Sequence, residues 1–478
     1  MKPQSQSQDE LLLFQARFDQ LLNPAHPLVK LASQIDWSQL DATFGEHFCE
    51  DNGAPAKPTR LMVGLHYLKH TFNESDESVV AKWVENPYWQ HFCGFTHMQH
   101  QCPIHPTSMT RWRQRMGQEV DDDGDGDVGG KLNALLKQTI EVAVERKHLP
   151  RRELARVTVD TTVQESNVTH PTDSKLLYKA ICKLGRAAKD RGIVLRQSYV
   201  RVGQRASIKA SRYAHAKQFK RMRRQVRKLR TYVGRLIRDI ERKAPTKDEA
   251  LKTLLARSQR LVDQRPTDSN KLYSLHEPEV RCISKGKAHK RYELGQKVSL
   301  ATTNRDNWFV AALLCKGNPY DGHTLKRTLE RVESNTATAL SDVYVDKGYR
   351  GHDYDGEAQV HRSGAGSKRG TRATRKRRKR RSAIEPKIGH AKTENRMGRC
   401  YLKGLAGDAM NVVLAAAGAN LAKLLRLLPC ALRWRLEVAV AGRGASGWLT
   451  CRARGRLNVP ASALPVGAPP IAFQLRSV

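Results

Sequence analysis

Three carboxylates stand in settings suited to shared chemistry. Asp160 ends the apolar run Ala155-Arg156-Val157-Thr158-Val159. Asp346 ends a second run, Val343-Tyr344-Val345, and opens Asp346-Lys347-Gly348-Tyr349-Arg350-Gly351. Glu385 follows a dense block of arginines and stands seven residues before Lys392. Two acids at strand ends and one on a helix can hold divalent metal against a phosphodiester. Breaking that bond needs an activated nucleophile, a stabilised leaving oxygen and neutralised charge at phosphorus. Two magnesium ions about 4 Å apart supply all three. Magnesium takes hard oxygen ligands and keeps several waters, so a few carboxylates suffice.

Each acid also has an ordinary reading. Asp160 suits a strand end, and Asp346 before Lys347-Gly348 suits a turn. Ser382-Ala383-Ile384-Glu385 fits a capping box, with Pro386 at home in a first helical turn. The order of the three acids and their basic surroundings favour the chemical reading. If a helix begins near Ser382, then Gly389 and Lys392 share the face of Glu385, with Lys392 about 10 Å further along the axis. The glycine leaves that face open to a DNA backbone. Arg378 and Arg381 precede Glu385 and could clamp phosphates with two parallel donors each.

These residues need a scaffold, and the chain is long enough to build one. At 478 residues it can hold two or three domains, and 39% hydrophobic residues can form a core. The formal charge of +37 and a pI near 10.1 call for a polyanionic partner, most commonly nucleic acid. An anionic membrane surface is the alternative. No apolar run approaches the roughly 18 residues of a membrane span, and no secretory leader pattern is seen. The nine cysteines are scattered without CxxC spacing, so neither zinc nor a disulfide framework is indicated. A cytoplasmic, nucleoid-associated location is expected.

Residues 58–117 read as short helices starting at Pro58-Thr59, Ser75 and Thr107, with Arg111, Arg113 and Arg115 exposed on the last. Such a module suits either a helix-turn-helix-like DNA reader or plain packing. Residues 121–130 form an acidic, glycine-rich linker. It mimics the start of a calcium loop, but Leu132 stands where a bidentate glutamate is needed. A helix over 131–147 leads to the strand ending at Asp160. Residues 172–264 read as helical, with a seven-residue seam of Phe219, Met222, Val226, Leu229, Val233, Leu236 and Ile240. The seam predicts packing against a partner helix. The basic flanking faces suit DNA backbone contact or simple solvation. Period-two patterns mark strands at 297–303 and 308–315, a helix runs over 323–333, and an edge strand is predicted near 358–361. A basic block covers 368–381, and a helical tail continues to about Leu428. Beyond Arg435 no periodicity survives.

In combination these residues resemble the DDE transposases of bacterial insertion sequences, specifically the InsH-like group. That group sets a Y-(2)-R-(3)-E-(6)-K pattern around its catalytic glutamate. Arg381, Glu385 and Lys392 match with the right gaps, and Arg378 occupies the tyrosine position. Asp160-Thr161-Thr162-Val163-Gln164 and Asp346-Lys347-Gly348-Tyr349-Arg350-Gly351 look like its two aspartate segments, and 58–94 resembles its N-terminal DNA-binding domain.

The resemblance covers about residues 10–430. It implies an α/β, RNase H-like (retroviral-integrase-like) catalytic domain with a mixed sheet over 131–430, interrupted by a helical insertion at about 165–290. It also implies an N-terminal helical domain over 1–120, leaving 431–478 as an atypical tail. Asp160, Asp346 and Glu385 would bind two magnesium or manganese ions. Arg381 and Lys392 would contact DNA phosphates near the cut, and Tyr349 and Arg350 would help position the terminal nucleotides; by their own placement Arg378, Arg111 and Arg115 are further candidate DNA contacts. The reaction would be cleavage at terminal inverted repeats, followed by attack of the 3′-hydroxyls on target DNA. The seven-residue seam and the need to hold two DNA ends point to a homodimer on DNA. A decayed repeat-binding protein and an RNase H-like nuclease without strand transfer are the alternatives.

Overall fold

The structure is a computed structural model. It describes residues 16–46, 48, 55–117, 130–244, 248–265, 267–284, 291–364 and 371–428. The chain divides into two units, Met1–Cys430 and Ala431–Val478. The tail after Arg435, nearly all of the 121–130 linker and the first part of the basic block lie outside the described residues.

Helix starts follow local chemistry. The first helices are α1 (Phe18–Leu21), α2 (Pro27–Ala32), α3 (Trp37–Gly45), α4 (Thr59–Thr71), α5 (Asp76–Glu85), α6 (Pro87–Phe92) and α7 (Pro106–Met116). Proline stands in the first turn of α2, α6 and α7, where its missing N–H costs nothing. Ser75 and Ser78 close a reciprocal capping box on α5. The cap of α7 is His105, whose ring nitrogen accepts from the Thr107 amide, rather than the expected Thr107. The α4 helix is buried along nearly its whole length. At Gly418 a Cβ would lie 2.6 Å from the His70 side chain, so only glycine permits this close approach. The N-terminal helices and the central sheet accordingly share one hydrophobic core.

One expectation for this module is corrected. Arg113 is not exposed but 1% accessible, because it forms two bonds to Asp76 at 2.9 and 2.5 Å. Lys69 donates to the same carboxylate at 2.8 Å. Arg111 and Arg115 do remain exposed.

After α8 (Asn133–Glu145), β1 (Arg156–Ser166) enters the sheet. Four helices follow: α9 (Asp173–Asp190), α10 (Val200–His215), α11 (Phe219–Lys243) and α12 (Glu249–Asp263). They build a hydrophobic core of their own from Leu176, Ile181, Leu229, Val233, Leu255 and neighbours. The insertion is thus narrower than 165–290, since β1 runs on to Ser166 and residues Arg281–Ser284 form β2. The seam on α11 is used within the chain. Leu229, Val233, Leu236 and Ile240 are buried, while Phe219 is 52% exposed. The buried half therefore gives no support to the expected dimer.

The sheet continues with β3 (Tyr292–Thr303), β4 (Phe309–Cys315), then α13 (Leu325–Thr336), β5 (Asp342–Val345) and β6 (Gln359–Arg362). It is completed by α14 (Arg372–Arg380), α15 (Ile384–Glu394), β7 (Arg399–Cys400) and α16 (Gly404–Leu427). Strand order is β2-β3-β1-β5-β6, with β4 also on β3 and β7 on β1. β4, β3 and β1 are antiparallel neighbours, while β1, β5 and β6 are parallel. This mixed sheet flanked by helices agrees with the RNase H-like expectation.

Contrary to expectation, the α16 helix is by length and composition apolar enough to cross a membrane. Of its apolar window 83% is buried within the protein, where Asn420 bonds both the amide and carbonyl of Phe309 on β4. It serves as a core helix.

Candidate active site

Asp160 is not at a strand end, as expected, but is the fifth of the eleven residues of β1. The strand nevertheless changes character there. On its parallel edge β1 pairs with β5 only over 156–158, and with β7 only at 165–166. Between these ladders that edge has no strand partner among the described residues. Arg156 faces Asp342, Val157 faces Val343 and Thr158 faces Tyr344. Continuing that register by two residues sets Asp160 opposite Asp346. The two aspartates therefore stand where parallel strands have just stopped pairing.

Glu385 arrives from the helical side. Pro386 cannot continue a straight α-helix, because its ring clashes with the carbonyl four residues earlier. The chain accordingly ends α14 at Arg380, passes through a 3-10 turn at Arg381–Ala383, and restarts as α15. The capping box read from Ser382 does not form: the Ser382 hydroxyl donates to the Lys379 carbonyl. Glu385 instead pairs with Arg381. Two asparagines on the β3–β4 turn brace this segment. Asn304 donates to the carbonyl of Arg377 at 3.3 Å and Asn307 to that of Ala383 at 3.4 Å. These bonds flank Arg381 on both sides. Sequence reading missed both asparagines, and their position in a hairpin turn was the only available signal.

The Arg381 guanidinium joins the three acids. Its Nη2 lies 3.5 Å from Asp160 Oδ2, and its Nη1 lies 3.5 Å from Asp346 Oδ1 and 3.4 Å from Glu385 Oε1. The arginine side chain is 12% accessible, whereas Asp346 and Glu385 are open to solvent at 47% and 61%. Asp160 Oδ1 also accepts the Thr161 amide at 2.8 Å. Among the described residues, no three acidic, histidine or cysteine side chains lie close enough to share one metal ion. Each of the three carboxylates is a hard oxygen donor of the kind that hydrated magnesium and manganese accept, and these ions need few protein ligands.

Beside these acids opens a cavity of about 780 Å³ lined by Tyr344, His361, Arg362, Arg375, Arg378 and Arg381, among others. Arg378 donates to His361 Nδ1 at 3.3 Å, and the other ring nitrogen of His361 lies 2.7 Å from Asp342. That pairing holds the Asp342 carboxyl below the usual carboxylate range against the opposing effect of burial. Lys392 is half-buried in the last turn of α15, and Arg350 is exposed. A Cβ at Gly389 would meet nothing within 4 Å, so that face is open as expected.

The expected DNA contact by Tyr349 is corrected. Its ring is 1% accessible, and burial with the nearby charges of Asp160 and Asp321 pushes its phenol well above the ordinary range. It supports the floor of the site from within.

Comparison with known proteins bears on the same segments. Residues 16–115 match the family described as "Transposase domain (DUF772)", which spans α1 to α7. Residues 327–425 match the "Transposase DDE domain", a segment holding Asp346, Arg381, Glu385 and Lys392 but not Asp160. The chain is 48% identical over 219 residues to a Rhizobium meliloti protein described as "Uncharacterized protein ORF8 in nfe locus". That stretch is 46% of this chain and 100% of the relative. No solved structure matches.

Proposed function

The chain belongs to one family with the Rhizobium meliloti protein and carries two transposase domains, and from this premise we propose that it is the DDE transposase of an insertion sequence. It cuts DNA at the terminal inverted repeats of its element and joins the freed 3′-hydroxyls to target DNA. The observation that carries this reading is the convergence of Asp160, Asp346 and Glu385 on the single guanidinium of Arg381. The InsH-like pattern of Arg381, Glu385 and Lys392 agrees with it.

Asp160, Asp346 and Glu385 would hold two magnesium or manganese ions, which supply an activated nucleophile and neutralise charge at phosphorus. The residues of the chain do the rest. Arg381 balances the three acids, then turns its donors to the phosphate being cut. Arg378, Arg350 and Lys392 hold neighbouring phosphates as charged donors. The N-terminal helices, with Arg111 and Arg115 exposed on α7, bind the repeats. The basic faces of α10 and α11 grip duplex backbone; from Arg191 to Arg238 the sequence has no Asp or Glu. Two element ends must be held together, which calls for a homodimer on DNA.

The test is cleavage of labelled duplex carrying the flanking inverted repeats, with magnesium or manganese, beside Asp346→Ala. Metal-dependent cuts at the repeat ends that vanish in the variant support the reading. Specific binding without cleavage by the unaltered protein points instead to a repeat-binding protein that has lost its chemistry.

A further inference from the structure

A fourth carboxylate stands close to the three acids, with no role in the proposed chemistry. Asp321 lies in the short 3-10 turn Asp321–Thr324 that leads into α13. Its Oδ1 accepts the Thr161 hydroxyl at 2.8 Å and lies 2.7 Å from Lys297 Nζ. The lysine side chain is 9% accessible and also donates to the Pro319 carbonyl at 2.6 Å. The other oxygen of Asp321 faces the second aspartate's loop, since a Cβ added at Gly348 would come within 3.2 Å of Oδ2.

The arrangement has a defined geometry. Successive residues of a strand face opposite sides of the sheet. Thr161 therefore projects away from the side occupied by Asp160, as does Val163, whose cross-strand partner is Lys297. The Lys297–Asp321–Thr161 chain lies behind the sheet, under the stretch of β1 edge between its β5 and β7 ladders. That edge is where backbone bonding no longer fixes the distance between the segments of Asp160 and Asp346. Asp321 holds Thr161, one residue after Asp160, and its neighbour Tyr320 fastens the same turn to the loop of Asp346, donating its hydroxyl to the Arg350 carbonyl at 2.8 Å.

We infer that Asp321 is a positioning residue of this site, tying the strand that bears Asp160 to the loop that bears Asp346 and so setting how the two aspartates present themselves to metal. The inference rests on the proposed metal-dependent chemistry, but it can be read separately from that chemistry. Partners that orient metal ligands from behind typically change metal affinity by about 10–100-fold when removed.

The experiment uses the full chain and manganese chloride as the probe. Thermal melting without DNA is followed against manganese concentration for the unaltered protein, Thr161→Val, Asp321→Ala, Asp321→Asn and the double variant Thr161→Val/Asp321→Ala. Cleavage of repeat-end duplex is measured in parallel. The concentration giving half the thermal shift is expected to rise about tenfold or more in Thr161→Val and Asp321→Ala. Asp321→Asn, which still accepts from Thr161, is expected to recover part of the loss. The double variant is expected to be no worse than Asp321→Ala alone, because both remove one connection. Unchanged half-points in both single variants, or additive losses in the double variant, overturn the inference. If Asp321→Ala does not fold, Thr161→Val decides alone, since it leaves the Lys297 pair intact. A manganese shift without any cleavage by the unaltered protein rejects the proposed function while the comparison of half-points still tests Asp321. No manganese shift in the unaltered protein rejects both.

Discussion

The guanidinium of Arg381 lies 3.5 Å from the carboxylate of Asp160, although 221 positions of sequence separate them (381 − 160). The same group reaches Asp346 and Glu385, so one cation offsets three anions drawn together by the fold. Removing it leaves like charges facing one another. Arg381→Ala is expected to lower stability in chelator by about 1 kcal/mol, a modest figure because two of the acids are solvent-screened. Manganese is expected to raise the melting temperature more in this variant than in the unaltered protein. Calorimetry in chelator and in manganese checks both; an equal manganese response in the two proteins would show that Arg381 and metal do not compete for the same charge.

A second prediction concerns the N-terminal module. Asp76 is held by Arg113 and Lys69, whose side chains are 1% and 7% accessible. Burial would raise the Asp76 carboxyl, but the Arg113 hydrogen bond and the Lys69 charge outweigh it and hold it well below the usual range. Asp76→Asn leaves two buried cations without their anion and should cost about 3 kcal/mol. Because the folded carboxyl is depressed, its stabilisation is present above the unfolded value of 3.8 and is lost only as pH falls through the still lower folded value. Urea melts at pH 7 and below pH 3.8 read both effects. A variant as stable as the parent at pH 7 would contradict the assignment.

Asp408 behaves in the opposite sense. Burial pushes it up to about 7, partly opposed by hydrogen bonding with Cys400 and Gln164. Its Oδ1 accepts from Gln164 at 3.2 Å, tying α16 to β1. A raised folded value means that the bound proton stabilises the fold fully below the unfolded 3.8, and that this contribution is lost as pH rises through about 7. At about 1.4 kcal/mol per unit the effect is a few kcal/mol at most. Asp408→Asn should therefore melt higher than the parent at pH 8 and lose most of the parent's decline between pH 5 and 8. Parallel pH profiles for the two proteins would refute it.

The fourth prediction tests the basic helices. Arg221, Arg224 and Lys228 are exposed on α11. Changing all three to glutamine should leave melting unchanged. The slope of log affinity against log salt for duplex DNA should shrink by up to about 3, near 0.9 for each phosphate no longer neutralised. A slope equal to the parent's removes α11 from the DNA-binding surface.

Much of this site could be read from the chain because its parts are local. The β3–β4 hairpin, the edge strand at Gln359–Arg362 and the segment around Glu385 each carry short-range signals: period-two alternation, turn residues and Pro386. What could not be read depends on partners distant in sequence. The position of Asp160 inside β1 is set by antiparallel pairing with β3 from residue 295 onward, not by the composition of β1. Tyr349 looked like a DNA contact because nothing nearby reveals that its ring is covered. Arg113 has the same local sequence setting as the exposed Arg111 and Arg115, and only the distant Asp76 buries it. The α11 seam did signal burial correctly for Leu229 to Ile240, but a seven-residue period does not say whether the partner lies in the same chain.

Strand transfer tests the central claim most directly. A repeat-end duplex with a free 3′-hydroxyl is incubated with a circular target plasmid, magnesium and the protein, beside Asp160→Asn, Asp346→Asn and Glu385→Gln. The account predicts end-joined plasmid with the unaltered protein and none with any of the three variants, all of which still bind the repeat. Joined product that persists in any one of them would mean that the three acids around Arg381 do not form the active site.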